Sequence, residues 1–171
     1  MEAEMAPIGI ITVSDRASAG EYQDRGGPAV QQWLEAQFAE PPPFELRLVA
    51  DDLDVIEQEM TRLADNCALV VTTGGTGLTG RDGTPEALGV LFDKEIEGFG
   101  EVFRMLSYEE IGASTLQSRC VAGVANGTYI FTLPGSSGAC ATGWDKLIGP
   151  QLDSTNQPCN LVDLMPRLLE T

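Results

Sequence analysis

The chain has 171 residues, and 26 Asp and Glu against 10 Lys and Arg give it a formal net charge of −16. It contains no histidine, which excludes a Ser-His-Asp triad, a phosphohistidine intermediate and a His-ligated metal. The surplus of acids argues against nucleic acid or an anionic membrane as a partner, because both bind through Lys and Arg. We therefore expect one globular domain over residues 1–171 that acts in solution on a small molecule.

The four cysteines form no Cys-x-x-Cys pair and stand at positions 67, 120, 140 and 159. The sequence also begins without the charged, apolar and small-residue pattern of an export leader. These features predict free thiols in a reducing, cytoplasmic compartment. No apolar run reaches the roughly 20 residues that a membrane-spanning helix needs.

The first half of the chain alternates predicted strands with predicted helices. Short apolar runs that end at polar or glycine residues predict three strands, at 8–13, 44–49 and 68–72. Apolar residues at helical spacing predict one helix from about Gly27 to the prolines at 41–43, and a second after Asp51-Asp52. This part of the sequence therefore indicates repeated strand–helix units.

The second half begins with helices and ends with a hairpin and one more helix. Thr84-Pro85 resembles a helix N-cap followed by the first helical residue, and a further helix is expected from Gly98 to Leu106. Asn126-Gly127, a favoured two-residue turn, joins predicted strands at 120–125 and 128–133. The last predicted helix runs from Ser136 to about Leu152.

This order of elements predicts a mixed α/β fold. We expect a mostly parallel sheet with a β-hairpin and with helices on both faces, which makes three layers. The core should span about residues 7–160, with a short acidic start and a tail after Asp153. Ligands of such sheets bind at the carboxyl ends of the strands. Four polar or glycine-rich stretches stand there, at 14–16, 50–52, 72–82 and 134–137.

The longest of these stretches is a glycine loop. Gly74, Gly75 and Gly77 would let backbone N–H groups approach an anion, and the threonines at 72, 73, 76 and 79 add hydroxyl donors. Arg81 and Asp82 replace the lysine and hydroxyl residue of a Walker loop, so this is not one. Asp82 fits beside a phosphate when it holds Mg²⁺, which prefers one or two carboxylates plus substrate oxygens. The alternative is a tight turn in which Asp82 is a surface or capping residue.

Asp51 and Asp52 begin a helix, where one carboxylate is explained by capping of free amides. Asp51, on the loop side, is the one expected to face a ligand. Pro134-Gly135-Ser136 enters the last helix, whose free amides and dipole would bind a phosphate. This turn lies in a segment, residues 111–144, without a single Asp or Glu. That segment is either buried sheet and helix or a surface kept free of acids to receive an anion.

Ser118-Arg119 precedes the hairpin and supplies the only base of the acid-free segment. Two roles stay open for it at this point. Arg119 would bind a second anion, or it would pair with a carboxylate of the protein.

Five motifs occur in order along the chain and together resemble the Mog/MoaB family of molybdenum cofactor biosynthesis. They are Ile-Thr-Val-Ser-Asp-Arg at 11–16, Thr-Thr-Gly-Gly-Thr-Gly at 72–77, Arg-Asp-x-Thr-Pro at 81–85, Glu-Gly-Phe-Gly-Glu at 97–101 and Leu-Pro-Gly-Ser at 133–136. The resemblance covers roughly residues 7–160. It implies a molybdopterin-binding fold, usually assembled as a homotrimer.

The resemblance also implies an activity. Members similar to the adenylyltransferase transfer AMP from ATP to the terminal phosphate of molybdopterin and release pyrophosphate. The product then passes to metal insertion, which makes a molybdenum-insertion protein an expected partner. The N-terminal motif at 14–24 resembles this branch, whereas the C-terminal half resembles MoaB-type members, some of which lack the activity. The chain keeps the aspartate at Asp51 that the active branch carries, and it departs from many active members at Ala50 and Ser137.

These observations give a predicted site. Asp51 and Asp82 are the expected catalytic residues and Mg²⁺ ligands. The residues expected to contact ATP or molybdopterin are Ser14, Asp15, Thr73, Gly74, Gly75, Thr76, Gly77, Ser118, Arg119, Pro134, Gly135 and Ser136. The alternatives are a non-catalytic molybdopterin carrier and a nucleotide-binding structural subunit.

Overall fold

The computed structural model describes residues 6–171, so the acidic start at 1–5 lies outside the described residues. The six strands are β1 Ile8–Val13, β2 Phe44–Val49, β3 Leu69–Thr73, β4 Lys94–Glu95, β5 Ala122–Ala125 and β6 Thr128–Leu133. The helices are α1 Asp15–Ser18, α2 Gly26–Glu35, α3 Leu53–Asn66, α4 Thr84–Gly89, α5 Glu97–Ile111, α6 Ser137–Gly143 and α7 Gly149–Gln151. Turns of 3₁₀-helix cover Gly112–Gln117 and Met165–Arg167, and a π-helical turn covers Trp144–Ile148.

The six strands form one sheet in the order β2-β1-β3-β6-β5-β4. The pairs β1–β2, β1–β3 and β3–β6 are parallel, whereas β5 runs antiparallel to β6 and to β4. The β5–β6 turn holds Asn126 and Gly127 in the left-handed region, with φ of 49° and 77°. Asn and Gly tolerate this conformation better than other residues. The predicted mixed sheet and its hairpin are therefore confirmed.

Strand residues alternate between two apolar cores. Ile10 of β1 faces a core with Val30 of α2, Phe103 of α5 and Trp144 after α6. Residues one position along each strand face the opposite core against α3 and α4, which includes Ile11, Ile56, Met60 and Leu88. Because side chains of a strand point to opposite faces in turn, an all-apolar strand implies cover on both sides. The expected three layers are present.

Two elements had no signal in the sequence pattern. β4 consists of two charged residues at the sheet edge, which have no apolar periodicity to reveal them. α1 is a single turn whose start is set by Ser14, since its hydroxyl accepts from the Ala17 N–H at 3.2 Å. Short elements of this kind depend on their neighbours more than on their own propensity.

The predicted N-cap at Thr84 is wrong. Gly83 precedes α4, and Thr84 already lies in the helix. Its hydroxyl donates instead to the carbonyl oxygen of Gly74 at 3.1 Å. The Thr84 hydroxyl thus joins the first turn of α4 to the glycine loop.

The C-terminal part of the chain is more structured than the predicted tail. Helical turns run from Ser137 to Gln151, as expected, with the π-helical turn in the middle. After Asp153 the chain folds back, and Leu161 packs against the core beside Tyr129, whose hydroxyl donates to the Leu161 carbonyl at 2.8 Å. The acid-free segment at 111–144 contains β5, β6 and α6, and every residue of β6 is buried, which favours the first of its two interpretations.

Candidate functional site

One edge of the sheet gathers most of the predicted site residues. The segments that follow β1, β2, β3 and β6 meet there because these strands are parallel. β5 is antiparallel, so the residues that precede it, Ser118 and Arg119, come to the same edge. The Arg119 N–H donates to the Thr76 carbonyl at 3.2 Å, which joins this segment to the glycine loop.

The glycine loop is tied to the sheet and to α4. Gly74 donates its N–H to the Leu133 carbonyl at 3.0 Å, and the Gly75 carbonyl accepts from the Thr84 N–H at 3.1 Å. Both glycines have positive φ, 94° and 68°. A Cβ on Gly74 would lie 2.3 Å from the Val13 carbonyl oxygen, and one on Gly75 would lie 2.2 Å from the Thr84 hydroxyl. Only glycine fits both positions.

Two amides of this loop have no partner within the protein. Among residues 6–171, the N–H groups of Gly75 and Thr76 make no hydrogen bond. Consecutive free amides in a glycine-rich turn form a concave site for an anion. The loop therefore has the donors that phosphate binding requires.

Asp82 closes the far end of the same loop. Its carboxylate accepts from the Thr79 hydroxyl at 2.7 Å and from the Thr79 N–H at 2.9 Å. These hydrogen bonds lower the pKa of Asp82 below its usual value, and the bond from the Thr79 hydroxyl has the largest effect. Asp82 is thus an ionised carboxylate at neutral pH, and it is only partly buried.

The ionised form of Asp51 is less favourable than that of Asp82. It accepts a hydrogen bond from the Gly83 N–H at 2.9 Å. Burial nevertheless raises the pKa of Asp51, and the negative charges of Asp82 and Asp15 raise it further. The structure therefore brings the two predicted catalytic carboxylates close enough to repel each other.

Asp15 and Arg81 form an ion pair beside these carboxylates. The Arg81 guanidinium donates to both carboxylate oxygens of Asp15, at 2.8 and 2.7 Å, which lowers the pKa of Asp15. The same carboxylate accepts from the Asp51 N–H at 3.0 Å. Asp15 thereby positions the backbone of Asp51.

Arg119 stabilises the glycine loop through hydrogen bonds to two of its carbonyl groups. Its guanidinium donates to the Gly77 carbonyl at 2.7 Å and to the Asp82 carbonyl at 3.1 Å, and it forms an ion pair with Glu86 of α4. The pairing alternative for Arg119 is the one that the structure contains. An anion-binding role for Ser118 and Arg119 stays a prediction.

A divalent cation suits the carboxylate pair. Among residues 6–171 no group of three or more Asp, Glu or Cys has the arrangement of a complete metal site. Mg²⁺ commonly uses one or two carboxylates and completes its shell with water and substrate phosphates. Asp51 and Asp82 match that need, since a cation between them would offset the repulsion that raises the pKa of Asp51.

The opposite side of the glycine loop opens into a cleft, which we call the α2 cleft. It consists of two adjoining cavities of about 400 and 530 Å³ that share Arg25, Gly26, Thr73 and Gly135. Polar side chains are concentrated in the smaller cavity, which includes Thr12, Ser14, Tyr22 and Asp24. The larger cavity includes Val30, Trp33 and Cys140.

The predicted residues at the start of α6 lie between these two sides. Thr73 donates its hydroxyl to the Pro134 carbonyl at 3.1 Å, and a Cβ on Gly135 would lie 3.8 Å from the Gly74 Cα. Ser136 caps α6 through a hydrogen bond from the Ala139 N–H at 3.3 Å. This turn is therefore packed directly against the glycine loop.

Sequence reasoning missed Thr12 and the lining role of Asp24. Thr12 lies inside a predicted strand and within the motif at 11–16, and neither pattern gives its side chain a separate role. Asp24 had a usable signal, because an aspartate two residues before Gly26-Gly27-Pro28 is typical of a helix start. Its carboxylate indeed accepts from the Gly26 N–H at 2.9 Å.

All four cysteines are free thiols, and burial raises the pKa of Cys67 to about 11 and of Cys120 to about 12. Within residues 6–171, no helix combines the length and apolar character needed to cross a membrane.

Comparison with known proteins agrees with the geometry. A family profile described as "Probable molybdopterin binding domain" matches residues 9–154. Over 155 residues the chain is 50% identical to molybdenum cofactor biosynthesis protein B of Escherichia coli K12, which covers 90% of this chain and 89% of that protein. It is 46% identical to a protein of Haemophilus influenzae named molybdopterin adenylyltransferase, over 75% of this chain and 66% of the relative.

Solved structures show the same fold. The solved structure of the molybdopterin biosynthesis Mog protein from Mycobacterium ulcerans superposes with a TM-score of 0.76 at 33% identity. The match covers 84% of this chain and 92% of that one.

Proposed function

The chain belongs to the family of probable molybdopterin binding domains, and we propose that it transfers AMP from Mg-ATP to the terminal phosphate of molybdopterin, releasing pyrophosphate. The name of the Haemophilus influenzae relative supports this reaction. The observation that carries the proposal is the glycine loop, which has free amides at Gly75 and Thr76 and a carboxylate close to each end. A Cβ on Gly75 would lie 3.1 Å from Asp51 Oδ2, and one on Gly77 would lie 2.6 Å from Asp82 Oδ2.

The reaction suits a chain without histidine. The attacking group is a phosphate monoester, which is already ionised near neutral pH and needs no general base. The barrier is the approach of two polyanions, so catalysis depends on positioning and on neutralisation of charge. The site supplies ionised carboxylates for a cation and backbone donors for phosphate oxygens, which are the groups that such a reaction requires.

Each part of the site has an assigned role. Asp51 and Asp82 would hold Mg²⁺, which neutralises charge on the phosphates of ATP. The amides of Gly75 and Thr76 would orient the phosphate oxygens, together with the turn at 134–136, whereas the Gly77 amide interacts with the Asp82 carboxylate. Asp15 and Arg119 position Asp51 and the loop through the hydrogen bonds at Asp51 N–H and at the Gly77 carbonyl.

We further propose that the protein acts as a homotrimer in the cytoplasm and hands its product to a molybdenum-insertion protein. Exposed apolar side chains on α5 and the following 3₁₀ turn support self-association; they are Met105, Tyr108, Ile111 and Leu116. The free thiols support a reducing compartment.

A non-catalytic molybdopterin carrier is the second candidate. It is favoured by the name of the more identical relative, molybdenum cofactor biosynthesis protein B, which states no transfer activity. A carrier would bind molybdopterin and leave ATP intact.

One assay separates the two functions. The protein is incubated under anaerobic conditions with molybdopterin, Mg²⁺ and ATP, and pyrophosphate and adenylylated molybdopterin are measured. We expect both products in equal amounts, and none when Mg²⁺ is removed with a chelator. Retention of molybdopterin without pyrophosphate would assign the carrier role and overturn the transferase.

A further inference from the structure

Thr84 makes two hydrogen bonds to the glycine loop from the first turn of α4. Its hydroxyl donates to the Gly74 carbonyl at 3.1 Å, and its N–H donates to the Gly75 carbonyl at 3.1 Å. The side chain of Thr84 is fully buried, so it does not reach a ligand. Any contribution of this hydroxyl to binding must therefore act through the loop that it holds.

These two bonds orient the peptide groups that carry the free amides. A peptide group is planar, and in the trans form its C=O and N–H point in opposite directions. The Gly74 carbonyl shares a trans peptide with the Gly75 N–H, and the Gly75 carbonyl shares one with the Thr76 N–H. Because Thr84 binds both carbonyls, both amides point away from Thr84.

The peptide between Gly74 and Gly75 depends most on this support. Glycine adopts positive and negative φ about equally well, so no Cβ on either side opposes rotation of this peptide. Rotation would put a carbonyl oxygen, which is an acceptor, where the Gly75 N–H now points. Within residues 6–171, the Thr84 hydroxyl is the only hydrogen-bond donor to the Gly74 carbonyl.

The next peptide, between Gly75 and Thr76, has a different support. It is held by the Thr84 N–H, which every substitution at this position except proline retains. Loss of the hydroxyl should therefore release the Gly75 amide and leave the Thr76 amide in place. The two amides give separate readouts within one loop.

The start of α4 also positions a carboxylate of the site. The Gly83 N–H donates to Asp51 at 2.9 Å. A Cβ on Gly75 would lie 2.2 Å from Thr84 Oγ1 and 3.1 Å from Asp51 Oδ2. Two neighbouring residues of one helix start thus place the proposed Mg²⁺ ligand beside the peptide that Thr84 orients.

We propose that Thr84 is a positioning residue of the phosphate site: its hydroxyl orients the peptide between Gly74 and Gly75 so that the Gly75 N–H donates to a phosphate oxygen. The assignment of that phosphate to ATP rests on the proposed function. Binding of a phosphate by the loop does not depend on AMP transfer.

The test compares Thr84→Ala with Thr84→Ser, because both lack the γ-methyl group and only serine keeps the hydroxyl. Calorimetry of the full chain with inorganic pyrophosphate and Mg²⁺ measures the phosphate site without requiring turnover. In Thr84→Ala the Kd for pyrophosphate should rise about 10- to 100-fold, as expected for a lost hydrogen bond to a charged group. Thr84→Ser should bind pyrophosphate nearly as tightly as wild type.

Amide proton shifts in isotope-labelled protein separate positioning from a general loss of structure. In wild type, we expect the Gly75 and Thr76 amide protons to move downfield when pyrophosphate is added, because each gains a hydrogen bond to an anion. In Thr84→Ala the shift at Gly75 should be lost and the shift at Thr76 retained. A general loosening of the fold would not select one of two adjacent amides.

Thr128 provides the matched control. It is also a buried threonine whose hydroxyl donates to backbone carbonyls, those of Ala64 and Cys67 at 2.7 and 2.6 Å. It begins β6, at the end of that strand remote from the glycine loop. Thr128→Ala should lower the Tm and leave pyrophosphate binding and both amide shifts unchanged. If Thr84→Ala does not fold, Thr84→Cys replaces it with the same expectation, since a thiol is a weak donor.

Several outcomes would overturn the proposal. A wild-type Kd and a normal Gly75 shift in Thr84→Ala would show that the hydroxyl does not orient the peptide. Equal weakening by Thr84→Ser would assign the effect to the lost methyl group, and equal weakening by Thr128→Ala would assign it to general destabilisation.

The wild-type protein separates this proposal from the proposed function. Absence of pyrophosphate binding would overturn the phosphate site and the role of Thr84 together. Pyrophosphate binding that depends on the Thr84 hydroxyl, in a protein that transfers no AMP, would refute the proposed function and leave the role of Thr84 standing.

Discussion

The two sides of the glycine loop differ in how their polar groups are used. On the carboxylate side, Asp15, Asp82 and Arg119 are each held by two or more hydrogen bonds, and Asp51 by one. In the α2 cleft, the walls of the larger cavity are largely apolar. The first side therefore carries the charged groups, and the second offers mainly apolar surface. We infer that metal binding and phosphate chemistry belong to the first side alone.

The separation is tested most strongly by removing a carboxylate. Asp82→Asn or Asp51→Asn should reduce AMP transfer by about 100-fold or more, the usual scale for loss of a group that stabilises charge in the transition state. Molybdopterin binding should be largely spared, because the substitution removes a proposed Mg²⁺ ligand and no backbone donor of the glycine loop. Steady-state release of pyrophosphate and calorimetry with molybdopterin measure the two effects.

The Asp51 variant also has an expected effect on stability. Burial and neighbouring negative charges raise the pKa of Asp51, so its ionised form is unfavourable in the fold. Asp51→Asn should therefore keep or raise the Tm while activity is lost. Full AMP transfer by both variants would contradict the division of roles.

The loop that separates the two sides should be intolerant of a single methyl group. Gly74→Ala would place Cβ 2.3 Å from the Val13 carbonyl oxygen at a φ of 94°. Strain and overpacking should together lower the free energy of unfolding by about 2–5 kcal/mol. Gly80→Ala is the matched control, since nothing lies within 4 Å of its Cβ position. Urea unfolding measures both, and equal midpoints would show that the loop is not fixed as described.

Arg119 connects the loop to α4, and its removal should loosen the carboxylate side alone. Arg119→Gln loses the bonds to the Gly77 and Asp82 carbonyls and the pair with Glu86. AMP transfer should fall about 10- to 100-fold, as is typical for groups that orient a metal site, and the Mg²⁺ concentration for half-maximal rate should rise. Arg167→Gln breaks an exposed pair with Glu170 and should do neither. A change in molybdopterin affinity without a change in Mg²⁺ dependence would assign Arg119 to substrate instead.

The smallest expected effect is on pH dependence. The proposed Mg²⁺ site needs the carboxylate form of Asp51, so we expect activity to be full above the raised pKa of Asp51 and to be lost as the pH falls through it. Arg81 lowers that pKa by its charge. Arg81→Gln should move the acid limb of the rate profile to higher pH, whereas Arg81→Lys should leave it nearly in place. A shift to lower pH would show that another group controls the limb.

Most of the fold could be predicted because the spacing of apolar residues indicates which side chains of a strand or helix are buried. The runs at 8–13, 44–49 and 128–133 coincide with β1, β2 and β6. The sequence could not predict β4, whose two charged residues pair only because β5 presents an open edge. Thr84 was misassigned as a cap because its hydroxyl bonds to Gly74, ten positions away, instead of to its own helix.

The position of the candidate site could be predicted from the ends of the strands. The hydrogen-bond and ion-pair partners of its residues could not. Parallel topology alone brings Ser14, Asp51 and Gly74 to one edge. Arg119 pairs with the carboxylate of Glu86, which lies 33 positions earlier in the chain. The sequence alone could not distinguish this pairing from a free guanidinium that binds an anion. The close approach of Thr12 and Asp24 to the start of α2 depends on the missing side chain at Gly27. Such contacts join distant segments and leave no periodic signal.

Anchoring of the glycine loop has an entropic consequence. Gly74 is bonded to β6 and Gly75 to α4, so the backbone freedom of the loop, about 1–2 kcal/mol per residue, is lost when the chain folds. The amides of Gly75 and Thr76 are then already oriented when a phosphate arrives, and binding does not have to order them. In the proposed site, part of the folding free energy of the sheet would in this way be converted into affinity for the anion.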